Sequence, residues 1–283
     1  APPMQKIATV PEMRRLTREI RARGEKIALV PTMGALHPGH VALIEAAKKS
    51  GATVIVSIFA NPLQFGPNED FAGYPRTPDA DLAICTEAQV DAVFAPAVEE
   101  IYPRGYSSYV TEDAYSKPLC GISRPTHFRG VTTIFAKLLN IVRPDAVFMG
   151  QKDIQQAAVV RKMIADLQFG VDVVVVPTVR DAEGLAHGVR SRALTNSQRQ
   201  EATVIKQALV KAREMVDAGV RSTDRLVAEV THIIGQRRRV RVIYVSIVDS
   251  TTMEAEREIV PGKSWLMIAV WVDEVRLIDN LPL

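Results

Sequence analysis

Two histidines one helical turn apart carry the densest chemistry in the sequence. They lie in Pro31-Thr32-Met33-Gly34-Ala35-Leu36-His37-Pro38-Gly39-His40. Pro38 suits a first helical turn, so His37 and His40 face the same way at a helix start. A helix N-terminus offers unpaired N–H groups and a positive dipole end to an anion, and Gly39 has no side chain to block a phosphate. Two imidazoles beside a phosphate would donate hydrogen bonds to charge growing on a phosphoryl group. Two alternatives stay open from the pattern alone. One is a zinc pair, for which no third ligand stands at a fitting spacing; the other is two loop histidines without a role.

Such a loop needs a rigid frame, and the first two-thirds of the chain supplies one. Lys26–Val30 reads as a strand ending at Pro31, followed by a helix with Val41, Ile44 and Ala47 on one face. Then come the strand Thr53–Phe59, a helix near Asp79–Ala88 and the strand Ala92–Phe94. A polar loop near Arg104–Lys117 precedes a helix carrying Val131, Ile134, Phe135, Leu138 and Val142. Ala146–Met149 and Val171–Val176 are further strands around the helix Ile154–Leu167. Near-continuous apolar strands alternating with helices predict a doubly wound, Rossmann-like α/β sheet that is parallel and covered on both faces. Ligands bind such sheets at the carboxyl ends of the strands, near a topological switch point. After Thr178 the pattern changes to helices, Ser197–Ala218 and Thr223–Gln236, and then strands, Arg241–Val248, Trp265–Val272 and Val275–Ile278. That order predicts a smaller C-terminal α+β domain, with residues 1–183 in the first domain and 184–283 in the second.

Composition bounds the partners. The 283 residues are 47% hydrophobic and 24% charged, enough to bury a core, which excludes a mainly disordered chain. No apolar run approaches the ~20 residues that span a bilayer, and the start Ala1-Pro2-Pro3-Met4 lacks a secretory h-region. Two cysteines, Cys85 and Cys120, are too few for a disulfide framework, so a cytoplasmic protein with reduced thiols is expected. A net charge of +3 argues against a dedicated nucleic-acid binder, and Arg237-Arg238-Arg239 reads as a solvated helix end. No membrane or nucleic-acid partner is expected.

His37-Pro38-Gly39-His40 resembles the His-x-Gly-His signature of the nucleotidylyltransferase superfamily. More segments in order narrow the match: Ser57-Ile58-Phe59-Ala60-Asn61-Pro62-Leu63-Gln64-Phe65-Gly66, Tyr74-Pro75-Arg76-Thr77, Ser123–Gly130, Gly150-Gln151-Lys152-Asp153-Ile154-Gln155-Gln156 and Arg276-Leu277-Ile278-Asp279-Asn280. Together they closely resemble the pantothenate synthetase (pantoate–β-alanine ligase) family over nearly the whole chain. The resemblance implies a ligase using ATP and magnesium: pantoate forms pantoyl adenylate, and β-alanine then gives pantothenate and AMP. It also implies a Rossmann-like ATP domain, a C-terminal lid and a homodimer.

Carried over position by position, the resemblance places Met33, Gly34, Ala35, Leu36, His37, Pro38, Gly39 and His40 at ATP, with His40 as proton donor and His37 beside the phosphates. Gln64 and Gln156 would hold pantoate through neutral amides, which donate without a competing ion pair. Gly150 and Gln151 would approach the nucleotide, Lys152 would meet phosphate, and Asp153 would accept from ribose or instead cap a helix. Val179 would line adenine through its backbone or instead be a core strand-end valine, and Arg129 would reach an anion or form a structural ion pair. Asp79 and Asp81 are the magnesium candidates, since hard cations choose carboxylates. One segment departs from the family. Where it usually carries Ser-Ser-Arg-Asn after an apolar residue, this chain has His187-Gly188-Val189-Arg190-Ser191, so two hydroxyl donors to ATP are missing unless Gly188 N–H, Arg190 and His187 compensate. The rival readings are another nucleotidylyltransferase, or a nucleotide-binding protein that has lost ligation.

Overall fold

In the computed structural model, which describes residues 2–283, the expected alternation becomes a layered sheet. The elements of its first part are β1 (Gln5–Ile7), α1 (Val10–Ala22), β2 (Ile27–Thr32), α2 (Pro38–Lys49), β3 (Thr53–Ile58), α3 (Pro78–Glu87) and β4 (Ala92–Phe94). They continue with α4 (Val98–Ile101), α5 (Cys120–Ser123), α6 (His127–Val142), β5 (Ala146–Gly150), α7 (Ile154–Asp166) and β6 (Asp172–Val176). The six strands pair in the order β1-β4-β3-β2-β5-β6, all parallel. From β2 the chain builds outward through β3 and β4 and then returns to place β5 on the other side. The switch point therefore lies between the carboxyl ends of β2 and β5, where Met33–His37 leaves the sheet.

Strand pleating decides what each face buries. Ala28, Val30, Val54 and Val56 meet Leu43, Ile44 and Ala47 of α2 and Cys85 of α3. Ile27, Leu29 and Ile55, one residue out of phase and fully buried, point to the opposite face. There α1 and α6 pack together, tied by the Thr17 hydroxyl donating to the Val142 carbonyl at 3.0 Å.

The remainder comprises α8 (Asn196–Ala202), α9 (Val204–Asp217), α10 (Thr223–Ile234), β7 (Val240–Asp249), β8 (Ser264–Val272) and β9 (Val275–Pro282). The three strands form an antiparallel sheet in that order. Ile205, Leu209 and Val216 of α9 and Leu226, Val230 and Ile234 of α10 share one core with Leu266, Ile268 and Val270 of β8. The described residues form two compact units: those up to Gly150 with Val159–Pro177, and Gln151–Ala158 with Thr178–Leu283. The turn after β5 and the start of α7 thus group with the C-terminal unit, an exchange that one division near Gly184 does not contain.

Several expected boundaries move. β2 continues through Pro31, which pairs with Ser57 of β3; on the β5 side the ladder has ended at Leu29, so no strand asks for the missing N–H. The single helix expected over Ser197–Ala218 is two, α8 and α9, broken at Thr203, whose hydroxyl donates to the Gln200 carbonyl at 2.6 Å. β9 reaches Pro282 because its whole length pairs with β8. β1 and α1 were not expected. α1 starts at the Thr9 cap and buries Met13, Leu16, Thr17 and Ile20 behind an arginine-rich outer face.

Candidate active site

The loop from β2 to α2 is held in an uncommon backbone shape. Gly34 has φ +83°, and Ala35 follows at φ +51°, a conformation disfavoured for a residue with a Cβ. A Cβ on Gly34 would also lie 3.2 Å from both an Asp81 oxygen and Ile58 Cγ2. Asp81 supplies the clamp. Its Oδ2 accepts from Ala35 N–H at 3.1 Å, and its Oδ1 accepts from Leu36 N–H at 2.9 Å and from the Thr77 hydroxyl at 3.0 Å. The side chain sits on α3 and is 1% exposed. This corrects the magnesium expectation for Asp79 and Asp81. Asp81 has both oxygens engaged inside the protein, whereas Asp79 is exposed on the surface of α3, so the two do not present a paired carboxylate site. Among the described residues, no group of three or more His, Cys, Asp or Glu side chains is arranged to hold a metal ion.

Leaving the clamp, the chain reaches His37, the N-cap of α2. Its Nδ1 accepts from Gly39 N–H at 3.0 Å, and its own N–H donates to His40 Nδ1 at 3.1 Å. A backbone N–H cannot accept, so both Nδ1 atoms must present lone pairs and each neutral ring carries its proton on Nε2. Two imidazoles with centroids 3.9 Å apart are thereby fixed as Nε2–H donors at one helix N-terminus. Gly39 serves this arrangement directly: a Cβ there would lie 2.7 Å from His37 Cε1, so its open space is taken by the His37 ring rather than left for phosphate.

A second polar group forms after β3. Gln64 closes a short 3-10 turn, Pro62–Gln64, and is buried. Asn61 donates through Nδ2 to Gln64 Oε1 at 3.0 Å and to the Gly130 carbonyl at 3.0 Å. With its oxygen engaged, the Gln64 amide directs Nε2–H elsewhere, as binding an anion or hydroxyl requires. Asn61 Oδ1 accepts from the Tyr102 hydroxyl at 2.8 Å. Burial, reinforced by the neighbouring Tyr106 and Tyr109, pushes Tyr102 far above the usual phenol range, so it stays a donor. The turn is backed by α6, where a Cβ on Gly130 would overlap the Leu63 carbonyl and come within 2.6 Å of Gln64 N. His127 Nδ1 lies 3.1 Å from the Gln64 carbonyl, and Arg124 pairs with Glu69 at 2.5 Å. Arg129 stacks its guanidinium 3.9 Å from the Tyr109 ring centroid.

In the C-terminal unit the 3-10 turn Gln151–Asp153 follows β5. Asn280 of β9 donates to the carbonyls of Gln151 at 2.8 Å and Lys152 at 3.1 Å, fixing the backbone from which Lys152 projects. Asp153 is exposed, and Gln156 is half-buried on the first turn of α7. Val179 accepts from His187 N–H at 2.9 Å across a hairpin that turns at Gly184. Arg180 at the base of this hairpin forms a two-pronged ion pair with Asp279 at 2.7 and 2.8 Å. Arg199 ties Asp181 at 2.7 Å to the Ser191 carbonyl at 3.1 Å. Gly188 N–H donates to Ser191 Oγ at 3.1 Å, and that hydroxyl donates back to the Gly188 carbonyl at 2.8 Å. The expected compensation by an open Gly188 N–H is therefore corrected: Ser191 already engages it.

Sequence reasoning gave no role to Asn61, Tyr102, Arg180, Ser191, Asp279 or Asn280. Asn61, Asp279 and Asn280 stood in matched motifs and Ser191 in the segment that departs from the family; Tyr102 and Arg180 had no signal beyond their polarity.

A doubly wound parallel sheet whose switch-point loop runs into a His-x-Gly-His helix start defines a nucleotidylyltransferase-class protein. A profile of the family described as pantoate-beta-alanine ligase matches residues 5–282. Pantothenate synthetase of Moorella thermoacetica is 46% identical over 280 residues, with 99% of each chain covered. The crystal structure of pantothenate synthetase from Thermus thermophilus superposes with a TM-score of 0.93 at 39% identity, covering 99% of each chain. Pantoate-beta-alanine ligase from Francisella tularensis, complexed with beta-gamma ATP and beta-alanine, superposes with a TM-score of 0.81 at 29% identity, covering 99% of this chain and 97% of that one. The chain belongs to the pantoate–β-alanine ligase family. The family's reaction is the ATP-dependent condensation of pantoate with β-alanine through pantoyl adenylate, releasing AMP and pyrophosphate. No helix among the described residues is long and apolar enough to cross a membrane.

Proposed function

We propose that His37 and His40 drive the adenylation half of this reaction as paired Nε2–H hydrogen-bond donors, His40 to the reacting phosphoryl group and His37 beside the phosphates. A pantoate carboxylate oxygen attacks the α-phosphorus; the P–O bond to the β-phosphate breaks and pyrophosphate leaves. Charge grows on the phosphoryl oxygens during that step, and fixed donors stabilise it without reorganising. The β-alanine amine then attacks the acyl carbon, its C–O bond to AMP breaks, and the proton shed by the amine passes to solvent water.

Met33, Gly34, Ala35, Leu36, Pro38 and Gly39 form the phosphate-facing loop in this reading. Gln64 and Gln156 hold pantoate, Lys152 meets a phosphate, and Asp153 takes the ribose. Gly150, Gln151 and the Val179 backbone border the nucleotide, with His187, Gly188, Val189 and Arg190 as its further neighbours. Residues 1–183 act as the ATP and pantoate domain and 184–283 as the lid. Because Asp79 and Asp81 do not fit a magnesium site, Mg2+ enters as the counter-ion of ATP. The enzyme works as a cytoplasmic homodimer.

The observation that carries this reading is the pair of Nδ1 atoms, each accepting a backbone N–H. It separates two functions of His40, capping and donation. In His40→Asn, Oδ1 replaces the Nδ1 acceptor but nothing replaces Nε2–H. Pantoate-dependent pyrophosphate exchange should fall by about 10²–10³ in that variant while the melting temperature holds. Attack of β-alanine on supplied pantoyl adenylate should suffer less. Wild-type exchange in His40→Asn would remove the donor role.

A further inference from the structure

The Gly188 departure reads from sequence as a loss, a place where ATP finds one hydroxyl fewer. The structure gives it a different content. Gly188 is buried, and its backbone lies outside the left-handed region, so any L-residue fits there conformationally. What a side chain would meet is one neighbour: an ideal Cβ on Gly188 overlaps the Lys152 ammonium and stands 3.5 Å from Lys152 Cε. The next atom, Ser191 Oγ, is 3.9 Å away, an ordinary contact. A side chain at this position would therefore displace only the flexible end of Lys152, which occupies that space.

Both ends of Lys152 are then accounted for within the C-terminal unit. Asn280 holds its backbone carbonyl at 3.1 Å, and the notch at Gly188 receives its ammonium. The notch itself is stiff, because Ser191 Oγ bridges the Gly188 N–H and carbonyl while Arg199 holds the Ser191 carbonyl. Lysine carries a point charge on a flexible stem, so an unconfined ammonium spreads over several positions and meets a phosphate in few of them.

We propose that Gly188 is a positioning residue for Lys152: its missing side chain forms the pocket that holds the ammonium where a nucleotide phosphate is bound, and Ser191 shapes that pocket. The inference rests on the reading of Lys152 as a phosphate ligand. It reverses the expectation drawn from the departure itself. Restoring a serine at this position should harm the use of ATP, because the new side chain evicts the cation.

The experiment is a double-mutant cycle on the full chain with ATP varied and pantoate and β-alanine saturating. Gly188→Ala, Gly188→Ser and Lys152→Met are made singly, and each Gly188 variant is combined with Lys152→Met. Gly188→Ala and Gly188→Ser should each lower kcat/KM for ATP by about 10- to 100-fold, the range for losing a hydrogen bond to a charged group. The pantoate KM should move by less than about twofold. In the Lys152→Met background the same glycine substitutions should cost less than about threefold, since no ammonium remains to displace. If Gly188→Ala lowers the melting temperature, Lys152→Met should restore it by removing the overlap; failure to restore it overturns the proposal. Equal losses in both backgrounds overturn it too, as does a gain in kcat/KM for ATP in Gly188→Ser. An undiminished kcat/KM in Lys152→Met refutes the phosphate reading of Lys152 itself. A loss in Lys152→Met with wild-type Gly188→Ala leaves that reading standing and refutes the positioning role alone.

Discussion

Replacing Asp81 by asparagine separates the two roles open to a carboxylate at this position. The clamp has three bonds: Ala35 N–H on one oxygen, Leu36 N–H and the Thr77 hydroxyl on the other. Asparagine has one oxygen. Turned to keep Leu36 and Thr77, it puts its NH2 against Ala35 N–H, donor against donor. One charge-assisted bond, worth about 1.5–3 kcal/mol, is lost, and two others fall to the neutral range of about 0.5–1.5 kcal/mol each. The sum is about 3.5–6 kcal/mol, a melting-temperature drop of roughly 7–24 °C for a domain of this size. The freed backbone then includes Ala35 at φ +51°, held left-handed by those bonds, so the loop relaxes and carries His37 and His40 with it. Misplacement of catalytic groups by about 1 Å costs on the order of 10² in rate. Differential scanning calorimetry and pantoate-dependent pyrophosphate exchange should therefore fall together in Asp81→Asn, at every magnesium concentration. An unchanged melting temperature with activity rescued by excess Mg2+ would refute the clamp and restore the metal reading.

Other consequences follow from the same contacts. Gln64→Ala should raise the pantoate KM by about 5- to 100-fold, from losing one hydrogen bond to an anionic substrate, with the ATP KM little changed; steady-state kinetics in each substrate checks the asymmetry. Tyr102→Phe takes one donor from Asn61 Oδ1 and should raise the pantoate KM by about 2- to 10-fold without affecting ATP, which the same kinetics would expose. Gly130→Ala drives a Cβ into the backbone of the Pro62–Gln64 turn, so it should lose about 1–3 kcal/mol in urea unfolding as well as pantoate affinity. The Cys85 thiol is pushed up to about 11 by burial first and by the nearby Asp81 charge second. It stays protonated through neutral pH, so iodoacetamide at pH 8 should leave Cys85 unlabelled in the folded protein and label it once urea unfolds the chain.

The sheet was legible because its strands are buried on both faces and so read as apolar runs. Val54, Val56 and Ile55 face opposite layers, yet all are fully buried. β1, with Gln5–Ile7 alone, is too short to make a run. α1 is not legible in the same way because Arg14, Arg15, Arg18 and Arg21 crowd its outer face and dilute the Met13, Leu16 and Ile20 stripe. At Thr203 the break between two helices is a local backbone turn inside a continuous helical period, which periodicity does not register.

The site divides along a different line. Groups that would touch substrate lie in short motifs, because a loop or a helix start can bring neighbouring residues to one point. Their orientation comes from elsewhere in the chain. Asp81 is 46 residues from Ala35, Tyr102 is 41 from Asn61, and Asn280 is 128 from Lys152. Each partner is an ordinary residue in its own segment, and only the fold makes it a clamp. This separation explains why the magnesium reading of Asp81 was attractive and why it fails. An aspartate in the first turn of α3 has the right chemistry for a cation, but β2 and α3 pack so that backbone N–H groups reach it first. The same separation bears on the His187–Ser191 segment, where this chain departs from its family. At Gly188 the missing side chain leaves space beside the ammonium of Lys152, whose backbone Asn280 of β9 holds, so a substitution there would act through Lys152 in a way that comparison of the segment alone does not reveal.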